Sequence, residues 1–551
     1  MTHDDHDWWR TAVIYQVYPR SFADADGDGT GDLRGITDRL DHIASLGADA
    51  IWLSPFYPSP QADGGYDVAD YRDVDPVYGT LADVDALLDR AHDLGLRVVV
   101  DLVPNHCSDQ HPLFRRALAA PPGSPERALF HFRDGRGSGG DEPPNDWESM
   151  FQGPAWTRVT EADGSPGQWY LHMFAPEQPD WNWDDKRVHD EFETTLRFWL
   201  DRGVDGFRVD VCDAIVKAPG LPDWPHATHG VVEPVDGVMP PMWDQEGIHD
   251  VFRAWRRILD GYDGQRILCA EAWLPPERAA RIVRADEMHQ AFNFAYLALP
   301  WDAAAIRETV DVSLAANDAV GAPTTWVLSN HDVMRHASRF GYDGPVELES
   351  GVGADDPQPD RALGLRRARA ATMVMLGLPG SAYLYQGEEL GLPEVTTLPD
   401  DVRQDPVWER SGHTTRGRDG CRVPLPWTPD GPSFGFGESG HTWLPQPEDF
   451  GTFAVSEQTG VEHSTLELYR AALTLRASTG VAAGRLEWLE DLGRADSGVL
   501  AWSSGGLTVF ANLGGTPTTL PAGTIVLRSV PDAVQDGLLA PDAAVWISAS
   551  E

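Results

Sequence analysis

Residues 203–211 read GVDGFRVDV. A short apolar run closes on Arg208 and Asp210. In an extended strand side chains alternate in direction, so residues two apart share a face. Arg208 and Asp210 are therefore aimed the same way from the end of an otherwise buried segment. Two readings fit: a structural ion pair, or a nucleophilic carboxylate beside the Arg that positions it. An uninterrupted apolar strand also speaks about the fold. A strand covered on both faces reads as continuous rather than alternating, which is the habit of parallel sheets flanked by helices.

The neighbouring sequence repeats the pattern. AVIYQVYPRSF (12–22), AIWLSP (50–55), RVVVDLVPNH (97–106), GFRVDV (206–211), RILCAEAW (266–273), QAFNFAYLAL (290–299), TTWVLSNHD (324–332) and SAYLYQGEEL (381–390) make eight strand candidates. Amphipathic stretches fall at 32–47, 80–95, 191–203, 250–262, 302–318 and 363–377, each with the three-to-four-residue apolar spacing of a helix. Eight strand candidates with helices between them predict an α/β fold, a closed (β/α)8 TIM barrel, whose functional groups sit at the C-terminal strand ends. Two regions break the alternation. Residues 107–175, rich in Gly, Pro and Asp, are too long for a connecting loop and read as an inserted subdomain after strand 3. The tail holds short β-like runs at 499–504, 507–513 and 524–529 and reads as a C-terminal antiparallel β-domain. The expected division is a barrel of 1–106 and 176–480, a subdomain of 107–175 and a β-domain of 481–551. Residues 391–450, dense in Pro, Gly and Trp, are expected to lie as a long loop over the barrel mouth.

Composition narrows the partners. The 551 residues carry a formal charge of −43 with 42% hydrophobic content. Polyanions such as nucleic acid or an anionic membrane are disfavoured, and a small neutral or cationic substrate is favoured. Lysine occurs only at 186 and 217; the remaining fixed cations are Arg. The first residues, MTHDDHDWWR, lack the basic and apolar regions of a signal peptide, and no apolar run approaches the roughly 20 residues of a membrane helix. Cys107, Cys212, Cys269 and Cys421 are scattered without a CxxC pair, which argues against zinc or a disulfide framework. A cytoplasmic protein, monomeric or homodimeric, with no organic cofactor is expected.

Polar residues recur where strands end: Asp101, Asn105 and His106; Arg208 and Asp210; Glu271; Asn330, His331 and Asp332. A single strand-end carboxylate is usually a cap or an ion pair. Three that converge on one barrel mouth, with two His and an Arg and no Gly-rich phosphate loop, suit glycosidic-bond cleavage. That reaction needs a carboxylate nucleophile and a protonated carboxyl for the leaving oxygen, about 5–5.5 Å apart in retaining enzymes. Arg208 is expected to keep Asp210 ionised, while burial and nearby negative charge raise the pKa of Glu271.

On four segments, DLVPNH (101–106), GFRVDV (206–211), AEAW (270–273) and SNHD (329–332), the chain resembles the α-amylase family of retaining glycosidases (glycoside hydrolase family 13), on its α-glucosidase and oligo-1,6-glucosidase branch. The resemblance runs along essentially the whole chain. It implies Asp210 as nucleophile, Glu271 as general acid/base and Asp332 as the carboxylate that steadies the transition state. It implies His106, Arg208 and His331 as ligands of the first sugar, Asp63 and Tyr66 of DGGYD (63–67) in the same pocket, and Arg418 closing it. Phe151 and Phe174 match aromatic walls. The alternatives are that Tyr66 is plain core, that the two Phe pack within the insert, and that Arg416 or Arg422 takes the place of Arg418.

The loop DADGDGTGD (24–32) spaces acids at every second position, as a chain does when it curls round a hard cation. It opens like an EF-hand, but position twelve is Gly35 and no helix precedes it. The resemblance implies Ca²⁺ or Mg²⁺ held structurally by Asp24, Asp26, Asp28, Thr30 and Asp32; a solvated acidic turn is the alternative. The resemblance leaves linkage open. Val211 matches enzymes that accept α-1,6 bonds, whereas VKAPGLPD (216–223) and the surroundings of Glu271 look like actinobacterial α-glucosidases acting on α-1,4 bonds. Those carry small residues and a His where this chain has Cys212, Asp213 and Ala214. Asp213 could bind a second sugar or be solvated. Hydrolysis and glucosyl transfer share one covalent intermediate, so the motifs do not separate them. A non-catalytic relative would have lost carboxylates that this chain keeps. The expected activity is exo-acting release of glucose from short α-glucosides with retention.

Overall fold

The computed structural model describes residues 7–226, 230–344 and 346–548. Eight short parallel strands form one sheet: β1 (Val13–Val17), β2 (Ala50–Leu53), β3 (Arg97–Leu102), β4 (Gly206–Val209), β5 (Ile267–Ala270), β6 (Gln290–Ala291), β7 (Thr325–Val327) and β8 (Ser381–Tyr385). Neighbours in sequence pair in register from β1 to β6, and β7 pairs with β8, which returns to β1. The ring is joined between β6 and β7 by a single parallel bridge, Phe292 to Thr325, with the Asn293 amide donating to the Thr325 carbonyl at 3.0 Å.

All strand candidates lie in this ring, and apart from Arg97 and Ala291 their side chains are buried. Their continuous apolar character follows from that position, with side chains filling the barrel on one face and meeting helices on the other. The covering helices start on acceptor caps. Asp32 accepts from the Gly35 amide at 2.7 Å ahead of the helix Leu33–Leu46, and Asp360 accepts from Ala362 and Leu363 ahead of Arg361–Leu376. Thr80 and Asp83 form a reciprocal capping box on Leu81–Asp93. In the first of these helices Leu33, Ile36, Leu40 and Ile43 are buried, the three-to-four spacing that places one stripe on the barrel.

Two local differences from the sequence pattern stand out. The run 290–299 supplies only two strand residues. Asn293 then accepts from the Tyr296 amide at 2.9 Å and starts the helical turn Phe294–Leu297. A helix over Pro276–Ile282, which the periodicity did not reveal, precedes β6; its seven residues are too few to show a period.

Between β3 and β4 lie the helix Pro112–Ala119 and a three-stranded antiparallel sheet of Phe132–Arg133, Pro166–Leu171 and Trp156–Thr160. An antiparallel bridge from His106 to Asp180 ties the end of this excursion to the end of β3. At the C-terminal end a five-stranded antiparallel sheet seats its aromatic residues on the helix Arg361–Leu376. The Trp546 indole donates to the Met373 carbonyl and the Trp502 indole to that of Gly377, each at 3.0 Å. Residues 391–450 form a long connection of short turns, and part of it reaches the barrel mouth.

Candidate active site

The C-terminal strand ends open into one pocket of about 1020 Å³, its mouth included, lined among others by Asp63, Tyr66, His106, Phe151, Phe174, Asp210, Glu271, Asp332 and Arg418. These residues come from six loops and strand ends, so only the closed ring brings them together. Arg208 and His331 stand immediately behind the pocket wall.

Arg208 organises the floor. It is 1% exposed, and its guanidinium meets three carboxylates. Nη1 lies 2.9 Å from Asp101 and 2.6 Å from Asp210, while Nη2 lies 2.9 Å from Glu271. Asp101 is wholly buried and also accepts from the Trp52 indole at 3.0 Å and the Tyr66 hydroxyl at 3.1 Å. Arg208 is thus a strut between strands β3, β4 and β5 as well as a charge beside Asp210. This corrects one expectation. Burial pushes the Asp210 carboxyl well up; Arg208 opposes, but Glu271, Asp101 and Asp332 add to the rise. One guanidinium divided among three carboxylates does not hold Asp210 low in the free pocket.

The segment after Asp210 is strained. Val211 sits at φ +43°, a left-handed conformation that a β-branched side chain adopts only under constraint. The constraint is visible: the Val211 amide donates to Glu271 Oε2 at 2.8 Å, and the Cys212 amide to the Glu271 carbonyl at 3.1 Å. The backbone of β4 thereby fixes the side chain of β5.

Asp332 differs from the other two. Burial works to raise it, but His331, Arg418, Arg422 and Arg208 outweigh burial and hold it well below the usual carboxylate range. Arg418 and Arg422 both donate to Asp332 Oδ1, at 2.9 and 2.8 Å. Arg418 also donates to Asp63 at 2.6 Å and to Asp405 at 2.6 Å, and its guanidinium lies 5.0 Å from the centre of the Phe151 ring. This fan closes one end of the pocket, and among the three candidate arginines it selects 418; Arg422 braces from behind. Tyr66 stacks on His331 at 5.2 Å and 10°. Both imidazoles are kept neutral by burial, His106 at about 4 and His331 well below the ordinary imidazole value. Gln178 bridges His106 and Asp63 at 3.1 and 3.2 Å.

Several residues of the site escaped sequence reasoning: Asp405, Trp243, Trp273 and Glu349 line the pocket, and Gln178 supports Asp63 and His106 from behind. Most lie in loops without periodicity, although Trp273 closes the AEAW segment already singled out.

The acidic loop lies away from the pocket. The carboxylates of Asp24, Asp26 and Asp28 approach one another within 4.8 Å. Burial, with Asp26 and Asp28 contributing, raises Asp24, which is the cost that a divalent cation would relieve. The donor set therefore fits a hard ion. All four acids also accept from loop amides, Asp24 from Gly27 and Gly29 and Asp32 from Ala25, Asp26 and Gly35; Asp32 differs in lying outside the cluster and capping the next helix.

An eight-stranded parallel barrel whose mouth pairs a buried Asp and Glu on one Arg, facing a third carboxylate and an aromatic wall, has the make-up of an enzyme that cleaves glycosidic bonds. Comparison with known proteins agrees. Residues 16–484 match the alpha amylase catalytic domain. The chain is 38% identical to a probable alpha-glucosidase of Rhizobium meliloti, over 89% of this chain and 86% of that one. It is 33% identical to an oligo-1,6-glucosidase of Parageobacillus thermoglucosidasius, over 85% and 83%. A crystal structure of an alpha-glucosyl transfer enzyme, XgtA, superposes with a TM-score of 0.83 at 35% identity, covering 98% and 99% of the two chains. The chain belongs to the alpha-amylase family, glycoside hydrolase family 13, and is a glycoside hydrolase.

Proposed function

We propose that the protein is a retaining, exo-acting α-glucosidase that releases glucose from the non-reducing end of short α-glucosides. The observation that carries this is the fan of Arg418 over Asp63, Asp332 and Asp405. It walls the pocket that Asp210 also lines, which supports entry of a chain end and not of the middle of a polysaccharide.

In this reading Asp210 attacks the anomeric carbon while Glu271 gives its proton to the leaving oxygen. The glycosidic bond breaks, the leaving sugar departs neutral, and a glucosyl ester remains on Asp210. Glu271, now ionised, takes a proton from water, and the hydroxide attacks the same carbon from the vacated face and frees Asp210. Two inversions give net retention. Asp332, held ionised, steadies the positive charge that builds on the ring and accepts sugar hydroxyls. Neutral His106 and His331 serve as hydrogen-bond partners, and Tyr66, Phe151 and Phe174 supply flat apolar surface. The acidic loop, through Asp24, Asp26 and Asp28 with Thr30 and Asp32 beside them, would hold Ca²⁺ or Mg²⁺. That ion supplies rigidity to the β1 connection.

We further assign the barrel to 1–106 and 176–480, the pocket-wall insert to 107–175 and the β-domain to 481–551. The four free, buried cysteines support a reducing, cytoplasmic setting for a monomer or homodimer. Among the described residues no helix is long and apolar enough to cross a membrane.

Initial rates on maltose, isomaltose, sucrose and trehalose test the reading, together with the anomer of the glucose released. Cleavage of maltose or isomaltose to α-glucose is expected, and the ratio of the two sets the linkage. Asp210→Asn and Glu271→Gln should each lower the rate about 10³-fold or more. Release of β-glucose, or mutants that remain active, would refute the assignment. Longer oligosaccharides accumulating beside the leaving-group glucose, with fewer than two glucose per disaccharide consumed, would move the protein to the glucosyl-transfer reading that its likeness to XgtA also supports.

A further inference from the structure

The leaving-group half of the pocket contains a carboxyl that the proposed chemistry does not use. Asp213 is 2% exposed and lines the pocket, and its Oδ2 has no hydrogen-bond partner. A buried carboxyl oxygen left unmatched is costly and uncommon. Lys217 attracts this carboxyl through space but does not hydrogen-bond it. Lys217 spends its three protons on Asp180 at 2.8 Å, on Asn105 at 2.6 Å and on the Ala214 carbonyl. Arg278 is bound to Asp244.

Position says which half of the pocket this is. The segment 211–213 runs alongside Glu271, tied to it by the Val211 and Cys212 amides. Glu271 faces the leaving oxygen, whereas the closed end lies across the pocket at Arg418. Val232, Trp243 and Trp273 complete the wall, and exposed Glu349 lies at the mouth. Seven carboxyl side chains line the described pocket, and Arg418 is its one fixed cation. Arg418 is already committed to three of those carboxylates.

Resting on the glucosidase reading, we infer that Asp213 is a specificity residue for the leaving group, which selects an uncharged or amine-bearing sugar and rejects a phosphorylated one. A sugar hydroxyl can donate to the orphaned Oδ2, and an ammonium pairs with it. A phosphate needs fork-like cationic donors and here meets carboxyls instead; such like-charge placement costs enough to suppress binding 100-fold or more. Burial first, then Asp244 and Glu271, raise the Asp213 carboxyl, so its proton state can adapt to whichever neutral or cationic group arrives.

The test uses the full chain and matched disaccharides of whichever linkage the wild type cleaves faster. One is unmodified, one has an amine at C2 of the reducing-end sugar, and one has a phosphate on O6 of that sugar. An aryl α-glucoside is the control for the chemistry. Expected for the wild type is kcat/KM on the phosphorylated substrate at least about 100-fold below that on the unmodified one, with the amine tolerated. Asp213→Asn should lower kcat/KM on the unmodified and amine substrates and narrow the phosphate discrimination about tenfold or more. Glu349→Gln, at an exposed position, should narrow it less. The inference is overturned if the wild type takes the phosphorylated substrate as readily as the unmodified one, or if a folded Asp213→Asn variant keeps the wild-type ratio. Failure of the wild type on the aryl glucoside and on both neutral linkages would instead overturn the glucosidase reading itself.

Discussion

Arg208 shows how one side chain can serve two scales. Sequence places it two residues from Asp210, which suggests a dedicated pair. The structure makes it common to Asp101, Asp210 and Glu271, and this division has a consequence for pH. Burial raises Asp210, and Glu271, Asp101 and Asp332 add to the rise against Arg208. The proposed nucleophile acts only when ionised, so rate is lost as pH falls through its pKa. A raised pKa puts the acid limb of kcat/KM above the ordinary Asp value of about 4. A pH profile on a neutral disaccharide checks this, and a limb at or below that value would contradict it. Much of the floor was legible because Asp210 and Glu271 directly follow a strand and Asp332 comes five residues after one, and strands announce themselves by composition. Arg418 was legible only by resemblance. Asp405 and Gln178 were not legible, since no period fixes where a long loop returns.

At the scale of elements, the acidic loop and the helix it feeds are one device. Asp32 spends its oxygens on the Ala25, Asp26 and Gly35 amides, while Asp24, Asp26 and Asp28 converge. The two roles separate by mutation. In protein stripped with a chelator, added Ca²⁺ or Mg²⁺ should raise Tm by a few degrees, as expected when a ligand binds only the folded form. Asp26→Asn should abolish most of that rise. Asp32→Ala should lower Tm with or without the ion, by the roughly 1 kcal/mol of a lost cap. A Tm indifferent to every divalent ion would leave the loop a solvated turn. Helices such as Leu33–Leu46 were readable from one apolar stripe, whereas the fifteen-residue Thr465–Thr479 was not singled out. The helix Pro276–Ile282 and the two-residue β6 are too short to carry a period, so their placement came from tertiary packing.

At the scale of the molecule, the barrel is a frame and the pocket is built by what departs from it. Asp63 follows β2, Phe151 and Phe174 come from the excursion after β3, and Arg418 arrives from beyond β8. The C-terminal sheet buries its tryptophans on Arg361–Leu376 and so stiffens the side of the ring that carries β7 and β8. The opposite flank of β7 is different. There the ring is held by one bridge, Phe292 to Thr325. In hydrogen–deuterium exchange the Asn293 amide should therefore lose protection well before those of Asp210 and Glu271, which bond to Leu102 and Val209, because local opening starts where cross-links are fewest. Equal protection on both sides would rule this out. A ring with such a latch has one flank where opening is cheapest: it would shift Asp332, carried beyond β7, relative to Asp210 and Glu271, which the pairing of β4 with β5 keeps side by side.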